Sequence, residues 1–316
     1  MRITVLAGGV GGARFLRGVR MLGHDVTAVV NTGDDAWVAG LRISPDLDSI
    51  MYTLAGVNDE QRGWGRVGET ERISAELAEW GVGWPWFTLG DLDLAAHIAR
   101  TSWLRDGVPL SEATRRLAER WDVGVRLLPG TDDEFETVVD LAEGRSIHFQ
   151  EWWVRHRATL PAIGFRQVGG ATAGPGVLEA IADADVVLFA PSNPVVSIGA
   201  LLAVPGIAAA VRSTAAPVVG VSPILGGRVV RGMADACLPV IGVATAADAV
   251  GLHYGARAQG GLIDGWLVDD SDAATLPGLE AAGLRARALP LLFKDPSVAA
   301  AAASAAIELA GPRTEA

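Results

Sequence analysis

The chain has 316 residues, half of them hydrophobic, and its 26 Lys and Arg against 37 Asp and Glu give a formal net charge of −11 at pH 7. Because this charge repels phosphate backbones and no basic cluster offsets it, we expect no nucleic acid partner. The single cysteine, Cys237, excludes an internal disulfide and any metal or iron–sulfur site that needs several thiolates.

The first 30 residues have a pattern typical of a strand, a turn, a helix and a second strand. Residues 3–7 form a short apolar run, residues 8–12 contain four glycines, and residues 13–22 have apolar side chains at helical spacing. Residues 26–30 repeat the strand pattern. The order predicts a βαβ unit in a parallel sheet that is buried on both faces.

A helix start and a tryptophan-rich region follow. Ser44 is predicted to be an N-cap, with Pro45 at the first helical position of a helix that continues over residues 47–54. Residues 63–121 contain six tryptophans among amphipathic segments, which lie at residues 69–80, 91–105 and 111–121. We therefore predict that residues 63–121 form a helical insertion over one end of the sheet.

Strand and helix patterns then alternate to the end of the chain. The predicted strands are residues 136–141, 146–149, 186–189, 218–221, 265–268 and 285–288, and the predicted helices are residues 177–182, 246–254 and 297–309. This alternation predicts the α/β class, with a doubly wound, Rossmann-like parallel sheet in a single domain over residues 1–316. No apolar run reaches the roughly 18 to 20 residues of a membrane span and no export signal is recognisable, so we expect a cytoplasmic protein without a membrane partner.

The glycines of residues 8–12 allow several interpretations. A P-loop needs a lysine after its last glycine, but the only lysine of the chain is Lys294. A dinucleotide-binding fingerprint needs Gly or Ala where Arg14 stands, and an acid at the end of the second strand, where Asn31 stands. Two interpretations remain: a turn whose backbone N–H groups bind an anion, and a tight turn that only packs the strand against the helix.

Four carboxylates lie within 15 residues, at the ends of the second strand and of the loop after it. They are Asp34, Asp35, Asp46 and Asp48. Oxygen ligands without nearby thiolates suit a hard cation, and Mg²⁺ that bridges substrate phosphates is the best candidate. For Asp46 and Asp48 there is a structural alternative, because a negative charge in the first turn of a helix is stabilised by the helix dipole.

Small polar residues form two further candidate sites. Ser192, Asn193 and Ser197 follow a predicted buried strand and could bind the base or phosphates of a nucleotide, and Thr172 lies in a similar loop before a helix. A turn that uses these side chains for its own backbone hydrogen bonds is equally consistent with the pattern. Trp86 and Phe87 adjoin turn segments and are candidates for stacking on a planar ligand.

Taken together, six segments resemble the CofD-type 2-phospho-L-lactate transferases, and most closely their actinobacterial branch of phosphoenolpyruvate transferases. The resemblance depends on the order and spacing of the segments over nearly the whole chain, since each one alone is a weak signal. The segments are GGVGGARF at residues 8–15, NTGDDAW at 31–37, PDLD at 45–48, LGD at 89–91, IHFQEWW at 147–153 and APSNP at 190–194.

The resemblance implies a step in the biosynthesis of coenzyme F-420. A guanosine diphosphate-linked lactate or enolpyruvate would give its phospho-acid group to the terminal ribityl hydroxyl of the deazaflavin Fo, releasing GMP, with Mg²⁺ required. It further implies an enolpyruvyl rather than a lactyl donor, and a homodimer. A non-catalytic regulator of the same fold that binds nucleotide sugars is the alternative, but such a regulator needs neither a metal site nor a pocket for a second, planar ligand.

Carried over by position, the resemblance also implies roles for the candidate residues. Asp34 and Asp48 would be catalytic, and Asp48, Trp86 and Phe87 would contact the acceptor. Asp34, with Asp35 and Asp46 nearby, would hold the metal. The donor would be bound by Gly8, Gly9, Gly11, Gly12, Ser192, Asn193 and Ser197, and we add Thr172 to these donor-binding candidates.

Overall fold

The computed structural model describes residues 1–311 of the chain. In that part of the chain the strands are β1 (Arg2–Ala7), β2 (Asp25–Val30), β3 (Ala36–Val38), β4 (Leu41–Ile43), β5 (Arg126–Pro129), β6 (Glu136–Leu141), β7 (Ser146–His148), β8 (Ala162–Val168), β9 (Val186–Phe189), β10 (Val218–Val221), β11 (Ile224–Leu225), β12 (Arg228–Val229), β13 (Gly265–Val268) and β14 (Arg285–Ala288). The α-helices are α1 (Gly9–Met21), α2 (Pro45–Ala55), α3 (Arg72–Glu79), α4 (Asp91–Arg105), α5 (Leu110–Ala118), α6 (Val177–Ala182), α7 (Ile198–Ala203), α8 (Ile207–Ser213), α9 (Ala234–Cys237), α10 (Ala247–Tyr254), α11 (Leu276–Ala281) and α12 (Pro296–Ala310).

The central sheet has seven strands in the order β14-β13-β10-β9-β1-β2-β5, and every neighbouring pair is parallel. From β1 the chain adds strands in one direction, and from β9 it adds them in the other. The order therefore reverses between β1 and β9, which confirms the predicted doubly wound parallel sheet.

Helices cover both faces of this sheet, because its strands are apolar on both sides. Side chains of α1, α2 and α12 pack on one face, and side chains of α6, α7, α8 and α10 pack on the other. The alanine-rich α12 lies close to α1: a Cβ on Gly18 would be 2.4 Å from the carbonyl carbon of Ala299. Among the helices of residues 1–311, none combines the length and apolar character needed to cross a membrane.

The sequence patterns missed strands that depend on tertiary contacts. The predicted strands β6 and β7 are present, but they belong to a separate antiparallel sheet in which β6 pairs with β7 on one side and with the unpredicted β8 on the other. The edge strand β5 and the β3–β4 hairpin were also not predicted. In the tryptophan-rich region, α4 has the predicted bounds and α3 lies within the predicted segment 69–80, whereas α5 begins at Leu110, one residue before the predicted segment 111–121.

The start of α2 corrects one prediction. Ser44 occupies the N-cap position and Pro45 begins the helix, but the Ser44 hydroxyl does not cap a helix N–H. It donates instead to Asp35 Oδ2 at 2.6 Å. The hydroxyl thus serves a buried carboxylate rather than the helix terminus.

Candidate functional site

A cavity of about 590 Å³ opens where β1 and β9 end, at the reversal of strand order. This is the position at which doubly wound sheets bind ligands, because the loops after the two strands separate there. The predicted site residues that line it are Gly8, Gly9, Gly11, Asp34, Asp46, Asp48, Trp86, Phe87, Ser192, Asn193 and Ser197.

The glycine segment is the first turn of α1 rather than a separate loop. Gly8 is the N-cap, α1 begins at Gly9, and Gly9 has a φ of +63°, which favours glycine. A Cβ on Gly8 would lie 2.4 Å from Asp46 Oδ2, and one on Gly11 would lie 2.3 Å from the Pro191 carbonyl oxygen. The absence of side chains lets the start of α1 approach both α2 and the turn after β9.

Gly12 has a different position from the other glycines. It is buried and does not line the cavity, and a Cβ there would lie 2.8 Å from Ser192 Oγ. For Gly12 the structure therefore favours the packing interpretation over direct contact with a donor.

Ser192 and Asn193 border the cavity while bonding to the protein backbone. Ser192 Oγ donates to the Gly8 carbonyl at 2.7 Å and accepts from the Gly8 N–H at 3.0 Å, which ties β9 to β1. Asn193 Oδ1 accepts from the Val195 and Val196 N–H groups, and its Nδ2 donates to Cys237 Sγ. The two side chains shape the cavity wall through these bonds.

Thr172 lies outside the cavity, which corrects the prediction that it contacts the donor there. Its N–H and hydroxyl both donate to Asp133 Oδ2, at 2.8 and 2.9 Å. Thr172 thus joins the loop before α6 to the loop between β5 and β6, a role that neither interpretation of the sequence predicted.

Asp34 and Asp46 form a buried acidic pair at the cavity wall, with 3% and 5% exposure. Asn31 Nδ2 donates to Asp46 Oδ2 at 2.9 Å. Burial raises the pKa of Asp34 well above its ordinary value, and the charge of Asp46 raises it further. Burial likewise raises the pKa of Asp46 to about 6, against the hydrogen bonds from Asn31 and the Gly9 backbone.

The Asp34–Asp46 pair also lacks a positive partner. Within residues 1–311, neither carboxylate has a Lys, Arg or His nitrogen within 4.0 Å, and Asp34 Oδ1 is buried without a hydrogen bond. Two buried carboxylates without a counter-charge are costly, and a divalent cation would offset that cost.

Asp35 turns away from the cavity, contrary to its predicted role beside the metal. Its Oδ2 accepts from Ser44 and lies 3.6 Å from Arg42 Nη2. Burial raises the pKa of Asp35 to about 7, with Arg42 and Ser44 opposing the rise. Asp35 Oδ2 therefore has internal partners, and the side chain does not line the cavity.

A second buried polar cluster, which we call the α4 cluster, lies next to the acidic pair. Arg100 donates to Asp48 Oδ1, and Tyr52 donates to Asp93 Oδ1 at 2.8 Å. His97 lies between the two carboxylates, with its Nδ1 3.5 Å from Asp48 and its Nε2 3.4 Å from Asp93. Asp48 therefore lines the cavity as predicted, but as part of an ion pair with an arginine that the sequence patterns did not identify.

Aromatic side chains form another part of the cavity wall. Trp86 stacks on Trp84 with ring centroids 4.8 Å apart, and Phe87 meets both rings edge-on at 5.9 Å. Trp86 and Phe87 line the cavity. Rings that hold one another in place offer a firm, flat surface for a planar ligand.

Sequence reasoning missed several residues of the cavity, among them Arg14, Tyr52, Asp93, His97 and Arg231. Only the α4 residues carried a usable signal, since Asp93 and His97 are four residues apart and lie on one face of a predicted helix. Residues that can bind a metal or a proton, spaced four apart on a helix, indicate a site when the helix face that carries them is buried.

The chain is similar to known proteins over nearly its whole length. The family model described as 2-phospho-L-lactate transferase CofD matches residues 3–281. The phosphoenolpyruvate transferase of Mycolicibacterium smegmatis is 55% identical, with 98% of this chain and 99% of that protein covered. That of Nocardia farcinica is 55% identical, covering 98% and 95% respectively.

Solved structures resemble the fold. A crystal structure of a Bacillus halodurans protein of the UPF0052 family superposes with a TM-score of 0.62 at 17% identity, covering 96% of this chain and 98% of that one. A second structure from the same organism gives a TM-score of 0.64, also at 17% identity, covering 97% and 99%. At this identity the likeness concerns the fold alone.

Proposed function

The chain belongs to the CofD family of 2-phospho-L-lactate transferases, and from this membership we propose that it acts in coenzyme F-420 biosynthesis. It is a phosphoenolpyruvate or phospholactate transferase. The proposed donor is a guanosine diphosphate ester of enolpyruvate or lactate, and the proposed acceptor is the terminal ribityl hydroxyl of the deazaflavin Fo. The acceptor oxygen forms a bond to the phosphorus that carries the acid, the diphosphate bridge breaks, and GMP leaves.

One observation carries the proposal: the start of α1, the acidic pair and the aromatic wall border a single cavity. Phosphoryl transfer requires little covalent chemistry from the protein, and depends on positioning the two substrates and neutralising charge. A backbone turn for phosphates, carboxylates for a metal and a flat surface for a tricyclic acceptor supply those requirements.

The acidic pair fits Mg²⁺. Asp34 and Asp46 offer only oxygen ligands, they have no positive partner within residues 1–311, and Asp34 Oδ1 is buried and unpaired. These two residues would hold the ion, whereas Asp35 does not line the cavity and its Oδ2 faces Arg42 and Ser44. Bound there, Mg²⁺ would neutralise the negative charge of the donor diphosphate.

The remaining roles follow from position around the cavity. Gly8, Gly9 and Gly11, with Ser192, Asn193 and Ser197, are proposed to bind the donor nucleotide and its phosphates. Trp86 and Phe87 are proposed to contact the deazaflavin ring. Asp48 is proposed to orient the attacking hydroxyl and take its proton, because its carboxylate lines the cavity.

The donor is proposed to be the enolpyruvyl ester, since relatives at 55% identity are named phosphoenolpyruvate transferases. The test is to incubate the purified protein with Fo, Mg²⁺ and either the enolpyruvyl or the lactyl diphosphoguanosine, and to measure GMP by chromatography and the product by mass. We expect GMP and the phospho-acid ester of Fo in equal amounts, formed faster from the enolpyruvyl donor.

Two controls make this assay decisive. Chelation by EDTA should stop GMP release, and added Mg²⁺ should restore it. Binding of donor without any GMP release would overturn the transferase proposal and favour the nucleotide-sugar-binding regulator. Faster turnover of the lactyl donor would overturn only the choice of donor.

A further inference from the structure

Two arginines that line the cavity have no role in the proposed reaction. Arg14 lies on α1, about one helical turn after Val10, and Arg231 follows the β11–β12 hairpin. Within residues 1–311, neither guanidinium makes a hydrogen bond, and neither has a carboxylate oxygen within 4.0 Å. Arg62, which also lines the cavity, is different because it pairs with Glu71.

The charges of Arg14 and Arg231 repel each other. Burial lowers the pKa of Arg14, and the neighbouring charge of Arg231 lowers it further. Glu60 opposes this effect, but its carboxylate is already held by Arg17, whose Nη1 donates to Glu60 Oε1 at 2.7 Å. Two like charges near each other are unfavourable, and an anion that contacts both would offset the repulsion.

Gly63 determines where the Arg231 guanidinium can lie. A Cβ on Gly63 would overlap Arg231 Nη1 and lie 3.0 Å from its Cζ, so the guanidinium packs directly against the glycine backbone. Gly63 has a φ of +82°, which favours glycine, and its N–H donates to the Asp59 carbonyl at 2.9 Å. The turn at residues 59–63 therefore offers a surface without a side chain, and Arg231 packs on it at the cavity wall.

A recess of about 20 Å³ adjoins the main cavity next to these two arginines. Arg14, Ser49, Gly63 and Arg231 line both the recess and the cavity. The volume suits one small polar group, such as a water molecule or a carboxylate oxygen. Because Ser49 follows Asp48 on α2, the recess lies close to the place where the acceptor hydroxyl is proposed to attack.

The proposed donor carries one anionic group that still lacks a partner. Its diphosphate is proposed to lie at the start of α1, with Mg²⁺ on Asp34 and Asp46, but the carboxylate of its acid has no assigned contact. In the enolpyruvyl and lactyl esters alike, that carboxylate is attached to the carbon that bears the ester oxygen, so it lies close to the reacting phosphorus. A guanidinium can bind a carboxylate through two parallel hydrogen bonds, which makes arginine a suitable partner.

We infer that Arg14 and Arg231 bind the carboxylate of the donor's acid group and so select donors that carry one. This inference rests on the proposed function, in which the donor is a guanosine diphosphate ester of enolpyruvate or lactate. The two arginines take no part in making or breaking bonds. They hold the acid end of the donor, so their effect is on donor affinity and on the choice of acid.

The experiment compares two nucleotides on the intact protein, with Mg²⁺ and without Fo. One is lactyl diphosphoguanosine, and the other is the β-ethyl ester of GDP, which is the same molecule without the carboxylate. In isothermal titration calorimetry the wild-type protein should bind the lactyl ester about ten- to a hundredfold more tightly, the range expected for hydrogen bonds to a charged group. Equal affinity for the two nucleotides would overturn the inference.

Arginine variants make the comparison specific. Arg231→Gln and Arg14→Gln should each lose most of the preference, while they bind the ethyl ester as the wild type does. Arg62→Gln is the matched control, because it removes the same charge from the cavity wall but from an arginine that is paired with Glu71, so its preference should persist. An unchanged preference in Arg231→Gln would overturn the inference. Equal weakening of both nucleotides would also overturn it, because the arginines would then hold the diphosphate.

Binding and turnover separate this inference from the proposed function. If the wild-type protein prefers the lactyl ester but releases no GMP when Fo is added, the carboxylate site stands and the transferase proposal fails. If it releases GMP but binds both nucleotides alike, the transferase proposal stands and the carboxylate site fails. Failure to bind either nucleotide would overturn both.

Discussion

Two pairs of buried aspartates border one cavity and differ in how their charge is balanced. Asp48 is paired with Arg100, and Asp93 accepts from Tyr52 and lies beside His97. Asp34 and Asp46 have no such cation within residues 1–311, and burial raises the pKa of both. The comparison teaches that Asp48 has its counter-charge within the protein, in Arg100, whereas the Asp34–Asp46 pair is suited to a cation from solution.

The largest expected effect follows from removing a carboxylate of the pair that lacks a cation. Asp34→Ala should lower kcat/KM for GMP release by about 10³-fold or more, because the donor charge is then poorly neutralised. The rate of GMP release is measured as a function of Mg²⁺ concentration for the wild type and the variant. An unchanged Mg²⁺ dependence would make Asp34 a structural residue and break the comparison.

Removing a cation, rather than a carboxylate, tests the α4 cluster. Arg100→Met leaves Asp48 buried without a counter-charge and should lower the free energy of unfolding by about 3 to 5 kcal/mol, measured by urea titration. Arg145→Met is the matched control, since Arg145 pairs with Glu143 at the surface and its loss should cost about 1 kcal/mol or less. Equal losses in both variants would show that Arg100 does not balance a buried charge.

A smaller effect is expected from neutralising Asp48 while keeping its shape. Asp48→Asn should reduce kcat by about 10²-fold, since orientation of the hydroxyl and acceptance of its proton are both weakened. The affinity for GDP and the far-ultraviolet circular dichroism spectrum should be unchanged. Near-normal turnover in a folded variant would remove Asp48 from the mechanism and leave it as the partner of Arg100 only.

The sequence predicted the central sheet well, because its strands are short apolar runs that are buried whatever surrounds them. Val186–Phe189 and Gly265–Val268 are examples, and both are completely buried. Ala162–Val168 was missed because half-exposed residues without clear alternation give no such signal. Its strand conformation depends on pairing with β6.

The sequence predicted those residues of the candidate site whose location follows from their position after a strand or at the start of a helix. It missed those that enter the site only because another helix buries them. Asp34 and Asp46 follow a predicted strand and begin a predicted helix, so their place at the sheet edge was expected. Asp35 is adjacent to Asp34 but contacts Arg42, a direction that no local pattern indicates. His97 and Arg100 look like residues of a solvated helix face until α2 covers them.

The smallest expected effect concerns the stability of the metal-free protein and its dependence on pH. A carboxyl whose pKa is raised on folding binds its proton more tightly in the folded state, so it costs stability above that pKa and the cost disappears as pH falls. Asp34→Asn, which removes one such charge, should therefore unfold about 2 to 4 °C above the wild type at pH 7.5 in EDTA. The difference in melting temperature should narrow toward pH 5, where protonation neutralises the wild-type pair, since the pKa of Asp46 is raised to about 6 and that of Asp34 well above its ordinary value.

Mg²⁺ at pH 7.5 should stabilise the wild type and not the variant. A wild type that is more stable than Asp34→Asn in EDTA at pH 7.5 would mean that the pair has a counter-charge within the protein, and the contrast with the α4 cluster would be lost.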